Sequence, residues 1–307
     1  MIPTWPLLRS CLLLPAYLWV GGCAQLPAQG EAQGDLAALF GNPSSAAFPT
    51  ATPVGSADEA LAKGDAALAG GDTDRALFEY LRALGKEAEN AQALYRIGAI
   101  HASKGNDTLA EVAYRRALQA DPRHAGAMTG LGILLTRKRE YAEAEVQLLA
   151  ALRLDPKLAG AHNALGVLAD LQRDHAGAKQ HFLNGLAYAP RSATLHNNLG
   201  YSHYLSGNNQ AAIAEFREAL TLNPDYALAW RNLGLVYSRQ GQYERALEAF
   251  GKVQELPQAY NDVGYIAMVA GRLEDAQSFF DEAQRLSPEF YPTANENARK
   301  VRTLKGK

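Results

Sequence analysis

Glycine recurs at positions 64, 98, 132, 166, 200 and 234, a spacing of 34 residues each time. Alanine keeps the same interval at 76, 110, 144, 178, 212 and 246, and proline at 122, 156, 190 and 224. Self-similarity at such a period means that each period is one supersecondary unit, which buries its apolar face only by stacking on its neighbours. A stack of this kind presents an extended surface, not an enclosed pocket, so the chain is expected to act by binding.

Aligned on the glycines, the units run 57–90, 91–124, 125–158, 159–192, 193–226, 227–256 and 257–290. In the fifth, His196, Leu199 and His203 follow one another at helical spacing, and Ala212, Phe216 and Ala219 do the same further on. Small residues at 132, 144 and 151 allow close helix approach, while Leu135 and Leu148 fill the gaps. Asp121-Pro122, Asp155-Pro156 and Asn223-Pro224 end the second helix of their units, because proline lacks a donor and disfavours helix in the residue before it. No run alternates with period two, so no strands are expected.

The period falters in two places. Gly234 and Gly264 are 30 residues apart, and the missing residues fall around Val253 to Pro257, close to one helical turn. The second helix of repeat 6 is therefore expected to be a turn short. Repeat 1 is worn, with Ala60 and Lys63 where large apolar residues belong and Ala88 in place of the terminal proline, as suits an N-terminal cap. At the other end, Thr293 to Leu304 reads as a polar capping helix, with Arg299, Lys300 and Arg302 where cations suit the helix dipole.

The segment Ala227 to Phe250, ALAWRNLGLVYSRQGQYERALEAF, resembles the tetratricopeptide repeat (TPR), with its large apolar residue, Leu, Gly, Tyr, Gly, Tyr, Ala and Phe at the family's positions. The resemblance implies an all-α solenoid: about seven pairs of antiparallel helices in a right-handed superhelix, closed by a capping helix. In that family the first helix of each repeat lines a concave, partner-binding groove. On this chain those positions are Asn163 and Asp170 in repeat 4, and Asn197, Asn198, Tyr201 and Tyr204 in repeat 5. Repeat 6 adds Arg231, Asn232 and Arg239, and repeat 7 adds Asn261, Asp262 and Tyr265. Asparagine amides carry donor and acceptor together and can pair with an extended peptide backbone, and tyrosines add rigid area with a polar tip. Repeats 2 and 3 contribute Tyr95, Arg96, Thr129 and Arg137 instead. Lysine is missing from the helix positions that would clamp a C-terminal carboxylate, so a ligand of that kind is not expected.

No catalytic constellation emerges. Gly200-Tyr201-Ser202-His203-Tyr204 nears a nucleophile elbow but lacks the second glycine and falls inside a predicted helix. Gly130-Leu131-Gly132 follows no strand, which excludes a dinucleotide fingerprint. His162 and His196 share one position of successive repeats, roughly 10 Å apart by helix-packing distances, too far for one metal ion. They fill a slot where the family often has a large side chain. No enzyme activity, metal or cofactor is expected.

Residues 1–22 read as a lipoprotein signal peptide, with Arg9 as a short positive region and Cys11 to Val20 as an apolar stretch too short to span a bilayer comfortably. Val20-Gly21-Gly22-Cys23 resembles the lipobox of bacterial lipoproteins, which implies acylation of Cys23 after removal of the preceding peptide. Several acyl chains hold a protein on a membrane where one does so only marginally. Ala24 at the next position implies the outer membrane, with the body facing the periplasm. Residues 24–56 are rich in Ala, Gly, Pro, Ser and Gln, which makes 23–56 a lipidated cysteine and disordered tether. Its 33 residues after Cys23 reach about 30 Å, and Asp35 to Phe40 could form one helical turn within it. The TPR array is then 57–290, and 291–307 a capping helix and tail.

The only cysteines are Cys11 and Cys23, so the folded part has neither disulfides nor thiolate metal sites. Without residues 1–22 there are 29 basic against 32 acidic residues, a net charge of −3 that offers no basic face for nucleic acid. A lipobox, a tether and about seven TPR units together resemble the TadD family of tight-adherence (Flp) pilus assembly lipoproteins. The finer pointers are Tyr260-Asn261-Asp262-Val263-Gly264-Tyr265 and the close Ser287-Pro288-Glu289-Phe290-Tyr291-Pro292-Thr293-Ala294-Asn295-Glu296-Asn297. That resemblance implies protein partners among the pilus or secretin machinery. A pilotin-type lipoprotein of a type IV pilus secretin and an adaptor for peptidoglycan enzymes are the alternatives.

Overall fold

The computed structural model describes residues 54–287 and 291–306. The signal segment, Cys23, the tether up to residue 53, and Pro288, Glu289 and Phe290 of the C-terminal motif lie outside the described residues. Fifteen helices and no strand are present among the described residues. They fall into two compact units that divide between Pro156 and Lys157. The first holds α1 (Ala57–Ala69), α2 (Thr73–Lys86), α3 (Ala91–Ser103), α4 (Asp107–Ala120), α5 (Ala125–Arg137) and α6 (Tyr141–Leu154). The second holds α7 (Ala159–Leu171), α8 (His175–Tyr188), α9 (Ala193–Leu205), α10 (Asn209–Leu222) and α11 (Ala227–Arg239), then α12 (Tyr243–Gly251), α13 (Leu256–Val269), α14 (Leu273–Leu286) and α15 (Pro292–Lys305). Odd-numbered helices up to α13 are the first (A) helices of seven repeats, even-numbered ones the second (B) helices. None is long and apolar enough to cross a membrane.

Local chemistry sets these boundaries. Ser56, Asp72, Asn90, Asp174, Ser192 and Asn208 each cap a helix by accepting a backbone N–H from the first turn. His124 does the same for α5 with Nδ1, 3.0 Å from the Ala127 N–H, while its Nε2 meets Gln92 Oε1 at 2.9 Å. Asp121, Asp155 and Asn223 terminate α4, α6 and α10 one residue before their prolines, as the sequence predicts. Between the helices of a repeat the chain passes through one left-handed residue. Glycine supplies it at 71, 105, 207, 241 and 271, but repeats 3 and 4 use Arg139 (φ 65°) and Arg173 (φ 68°).

Inside each repeat the periodic glycine faces the large residue sixteen positions later. A Cβ on Gly200 would stand 2.8 Å from the Phe216 ring, and one on Gly234 would stand 2.8 Å from that of Phe250. Gly166 and Phe182, Gly264 and Phe280 repeat the pairing, and Leu148 takes the role opposite Gly132. Phe182, Phe216, Phe280 and Leu148 are all buried. The beat of 34 is therefore the beat of the A–B helix contact.

Helix α12 has nine residues where the B helices before it have fourteen. The expected shortening is real and amounts to five residues. Pro257, at the N-terminus of α13, starts the next helix where the missing turn would have been. The expected polar C-terminal helix is α15, which buries Ala294, Asn297, Ala298 and Val301 and closes the stack against α14.

Candidate protein-binding face

In the second unit each A helix packs against its own B helix and also touches the next A helix: α7 meets α9, α9 meets α11, α11 meets α13, and α13 meets α15. The A helices thus form a continuous row, and the twelve sequence-predicted groove residues lie along it.

The asparagines of this row bind one another. Asn232 Nδ2 donates to Asn197 Oδ1 at 2.9 Å, Asn197 Nδ2 donates to Asn198 Oδ1 at 3.1 Å, and Asn198 Nδ2 donates to Asn163 Oδ1 at 2.9 Å. This relay crosses three A helices. Asn197 is fully buried, Asn198 and Asn232 are 6% and 5% exposed, and Asn163 is half-buried. The sequence expectation of amides presented to a peptide is thereby altered: these amides staple repeat to repeat, and a buried amide without such a partner would be costly. The spacing held the signal. Asn163 and Asn198, like Asn197 and Asn232, are 35 residues apart, which sets the fifth position of one repeat against the sixth of the next.

A second network closes the stack. Asn297 on α15, missed in the sequence as a member of the row, donates Nδ2 to Asn261 Oδ1 at 3.0 Å. Gln254, from the link after the short α12, donates to Asp262 Oδ2 at 3.1 Å. Burial raises the Asp262 carboxyl above its ordinary range, and the hydrogen bonds of Gln254 and Asn261 with the charge of Arg231 only partly offset this. Burial also raises the Tyr291 hydroxyl, and the Asp262 charge adds to it.

Asp170 is the buried carboxylate of the row. Its Oδ1 lies 2.7 Å from His175 Nδ1 and accepts from Ser202 Oγ at 3.0 Å, while its buried Oδ2 has no hydrogen-bond partner among the described residues. Burial raises this carboxyl, against the pull of His175 and Ser202. Serine, aspartate and histidine do meet here, but aspartate stands in the middle. The serine hydroxyl gives its proton to the carboxylate, so no imidazole is placed to activate it as a nucleophile. The arrangement joins α7, α8 and α9.

The remaining residues of the row give it chemistry toward solvent. Arg231 and Arg239 are exposed, and the Arg239 guanidinium lies 5.3 Å from the ring centre of Tyr204. Tyr201 is buried beside Tyr204, with ring centres 5.7 Å apart, and Tyr265 is half-buried. Arg272, the N-cap residue of α14, donates to the carbonyls of Ser238 at 2.8 Å and Arg239 at 3.2 Å, holding the end of α11. The second unit thus offers a row of packed tyrosines and exposed arginines over a buried amide spine.

In the first unit the equivalent residues are engaged locally. Arg96 Nε lies 3.1 Å from Asp65, and Arg137 Nη2 lies 2.7 Å from Asp107. Thr129 bonds the Ala125 carbonyl, and the Tyr95 ring packs on His124 at 4.9 Å. The histidines weighed for metal sit elsewhere in the packing. His196 Nδ1 is 2.7 Å from Glu215, and its Nε2 is 3.2 Å from the Pro190 carbonyl. Trp230, at the same register of the next repeat, bonds the Pro224 carbonyl in the same way. His162 lies beside His181 with its ring stacked on Tyr188, and burial together with Lys179 lowers the pKa of His203. No group of three or more metal-ligating side chains occurs among the described residues.

Family profiles match three stretches of the chain. These are the TPR repeat over residues 201–241, the tetratricopeptide repeat over 227–256, and the middle TPR-like domain of cilia and flagella-associated protein 70 over 59–172. No curated protein sequence matches the chain. Among solved structures it is similar to the APC/C heterotetramer Cut9–Hcn1, with a TM-score of 0.61 and 17% identity over 80% of this chain. The match covers 54% of that chain, so this protein spans about half the length of that relative. A TPR protein from Parabacteroides merdae aligns at a TM-score of 0.55 and 19% identity, over 80% of this chain and 98% of the other. PilF from Pseudomonas aeruginosa aligns at 0.55 and 21%, over 71% and 98%. At these identities the likeness concerns the fold alone.

Proposed function

For this chain, a tetratricopeptide-repeat protein and so a module of a kind that generally binds protein partners, we propose the role of a lipid-anchored scaffold in assembly of a tight-adherence (Flp) pilus and secretion machine. It is held at the outer membrane by acylated Cys23, with the array facing the periplasm. Extended segments of pilus or secretin components bind along the A-helix row of repeats 4 to 7, at Tyr204, Arg231, Arg239 and Tyr265.

The observation that carries this reading is the Val20-Gly21-Gly22-Cys23 sequence ahead of a TPR array. Supporting it, the two motifs associated with the TadD family meet at one place, where Asn297 of the C-terminal motif bonds Asn261 of the Tyr260–Tyr265 motif. That contact builds the end of the row where Asp262 and Tyr265 lie.

Cys23→Ser is expected to move the protein from the membrane to the soluble fraction, and unchanged fractionation would refute the anchor. Deletion of the gene is expected to abolish surface Flp pili. Normal Flp pili with loss of another pilus class would favour the pilotin alternative, and normal pili of every class would sink both. Crosslinking with mass spectrometry in the native envelope then identifies the partner, and crosslinks mainly to peptidoglycan enzymes would favour the adaptor alternative.

A further inference from the structure

A cavity of about 490 Å³ opens in the second unit where α10, α11 and α12 meet. Leu220 of α10, with Trp230 and Leu233 of α11, supplies its apolar wall, beside the buried Tyr237. None of the twelve sequence-predicted groove residues of the A-helix row lines it. Two guanidiniums from different helices meet at the same tyrosine. Arg217 of α10 donates Nη2 to the Tyr237 hydroxyl oxygen at 3.0 Å, and the Arg245 guanidinium of α12 lies 5.8 Å from the ring centre. Both arginines are exposed. Their side-chain hydrogen bonds go to neutral groups, Tyr237 and Gln242, and neither forms an ion pair among the described residues.

The repeat period identifies the group this arrangement lacks. Arg217 and Arg245 stand three periods of 34 after Arg115 and Glu143. In the first unit those two residues join α4 to α6 as an ion pair, Arg115 Nη1 to Glu143 Oε1 at 2.9 Å. Between repeats 5 and 6 the arginine is kept and the glutamate is replaced by a second arginine. The intervening pairs, Leu149 with Gly177 and Leu183 with Ala211, carry no charge. The shortened α12 alters the tryptophan end of the cavity as well. In repeat 4, Tyr188, the last residue of α8, stacks on His162, which holds the register of Trp230. Helix α12 stops at Gly251 and has no residue in that place, and Lys252 lies over the Trp230 ring instead, 5.9 Å from its centre. Three cations thus surround the cavity, and Glu248 is the one carboxylate among its lining residues.

We propose that this cavity is a second docking site, which takes an acidic segment of a protein partner. A glutamate or aspartate carboxylate of that segment stands against Arg217 and Arg245, as Glu143 stands against Arg115 in the first unit. A neighbouring apolar side chain of the segment fills the space between Leu220, Trp230 and Leu233. Guanidinium forks accept a carboxylate in two parallel hydrogen bonds, and Tyr237 holds both arginines near their working positions before the partner arrives. The surplus of positive charge favours acidic segments over basic ones. This site needs neither acylation of Cys23 nor the A-helix row, so it stands independently of the pilus reading.

The test is fluorescence anisotropy on the purified full chain with a capped, fluorescein-labelled peptide of sequence Glu-Leu-Glu-Leu. Saturable binding is expected, weakened about tenfold when glutamine replaces both glutamates of the peptide. Arg245→Glu places a carboxylate of the chain's own opposite Arg217, as in the first unit, and should weaken binding by at least the same factor. Arg245 is exposed, so an unchanged melting curve is expected for that variant. Arg231→Glu, on the A-helix row, should leave the affinity as it is. Absence of binding, or equal affinity for the glutamine peptide, would overturn the proposal. Equal losses in Arg231→Glu and Arg245→Glu would reduce the effect to general charge attraction and overturn it too. A dimer in sedimentation that dissociates on Arg245→Glu would assign the cavity to a second copy and overturn it equally. None of these readings depends on membrane fractionation of Cys23→Ser, so failure here and failure of the anchor are separate results.

Discussion

Asn232 on α11 donates its Nδ2 proton to Asn197 Oδ1 on α9 across 2.9 Å, with both side chains buried. Neither amide can turn to water instead, so the pair links repeat 5 to repeat 6. Asn232→Ala leaves the Asn197 acceptor buried and unsatisfied, a loss of about 1–3 kcal/mol. Urea titration followed by circular dichroism should show an earlier unfolding midpoint. Asn197→Ala combined with Asn232→Ala should cost less than the sum of the single changes, by about 0.5–1.5 kcal/mol. Additive losses would mean that the two amides do not act as a pair.

The turn between the helices of a repeat requires a left-handed residue, and two repeats place arginine there. Arg139 and Arg173 have φ of 65° and 68°, where five other repeats have glycine. An L-residue carries a penalty of roughly 1–2 kcal/mol in that conformation, partly recovered by its lower entropy in the unfolded chain. Arg139→Gly and Arg173→Gly are each expected to raise stability by up to about 1 kcal/mol. Gly207→Ala and Gly241→Ala, at the same turn of other repeats, should lower it. Thermal melts of the four variants check the sign, and a fall in stability for both arginine variants would contradict the account.

The architecture was legible in the sequence because the repeat period is also a contact. Gly200 opposite Phe216 and Gly234 opposite Phe250 restrict both positions at once, so the pattern survives in every unit. The short α12 was legible for the same reason, as a deficit in the count. The row of asparagines was legible as positions but not as bonds, since whether Asn198 meets a peptide or Asn163 depends on the approach of α7 and α9. Gln254 and Asn297 escaped notice because they belong to a link and a capping helix, outside the period.

The exposed part of the row is separable from its spine. Arg231 and Arg239 are exposed, and neither forms an ion pair among the described residues. Arg231→Ala with Arg239→Ala should therefore change the melting free energy by less than about 0.5 kcal/mol. Capture of envelope partners by crosslinking should nevertheless fall, and more so for segments carrying acidic residues. Undiminished capture by this double variant would move the binding surface elsewhere. Destabilisation would assign the arginines to the spine.

Asp262 makes stability depend on pH with a definite sign. Burial holds its folded pKa above the ordinary 3.8, and Gln254, Asn261 and Arg231 offset this only in part. A carboxyl of this kind keeps its proton in the folded state over a range where the unfolded chain has lost it. Stability therefore falls as pH rises from the ordinary value to the folded one, and stays at that lower level above it. Asp262→Asn has no such group, while Gln254 can still donate to the amide oxygen. At pH 7 the variant is expected to be at least as stable as wild type. On acidification toward pH 4 the wild type regains the contribution of Asp262, and the gap should close or reverse. Other carboxyls shift in the opposite direction, among them Glu111, where burial is outweighed by hydrogen bonds from Lys138 and Arg115. The difference between the two proteins cancels those groups, so chemical denaturation of both at pH 4 to 7 isolates Asp262. A gap that is constant with pH, or one that widens on acidification, would show that this carboxyl is not held above its ordinary range.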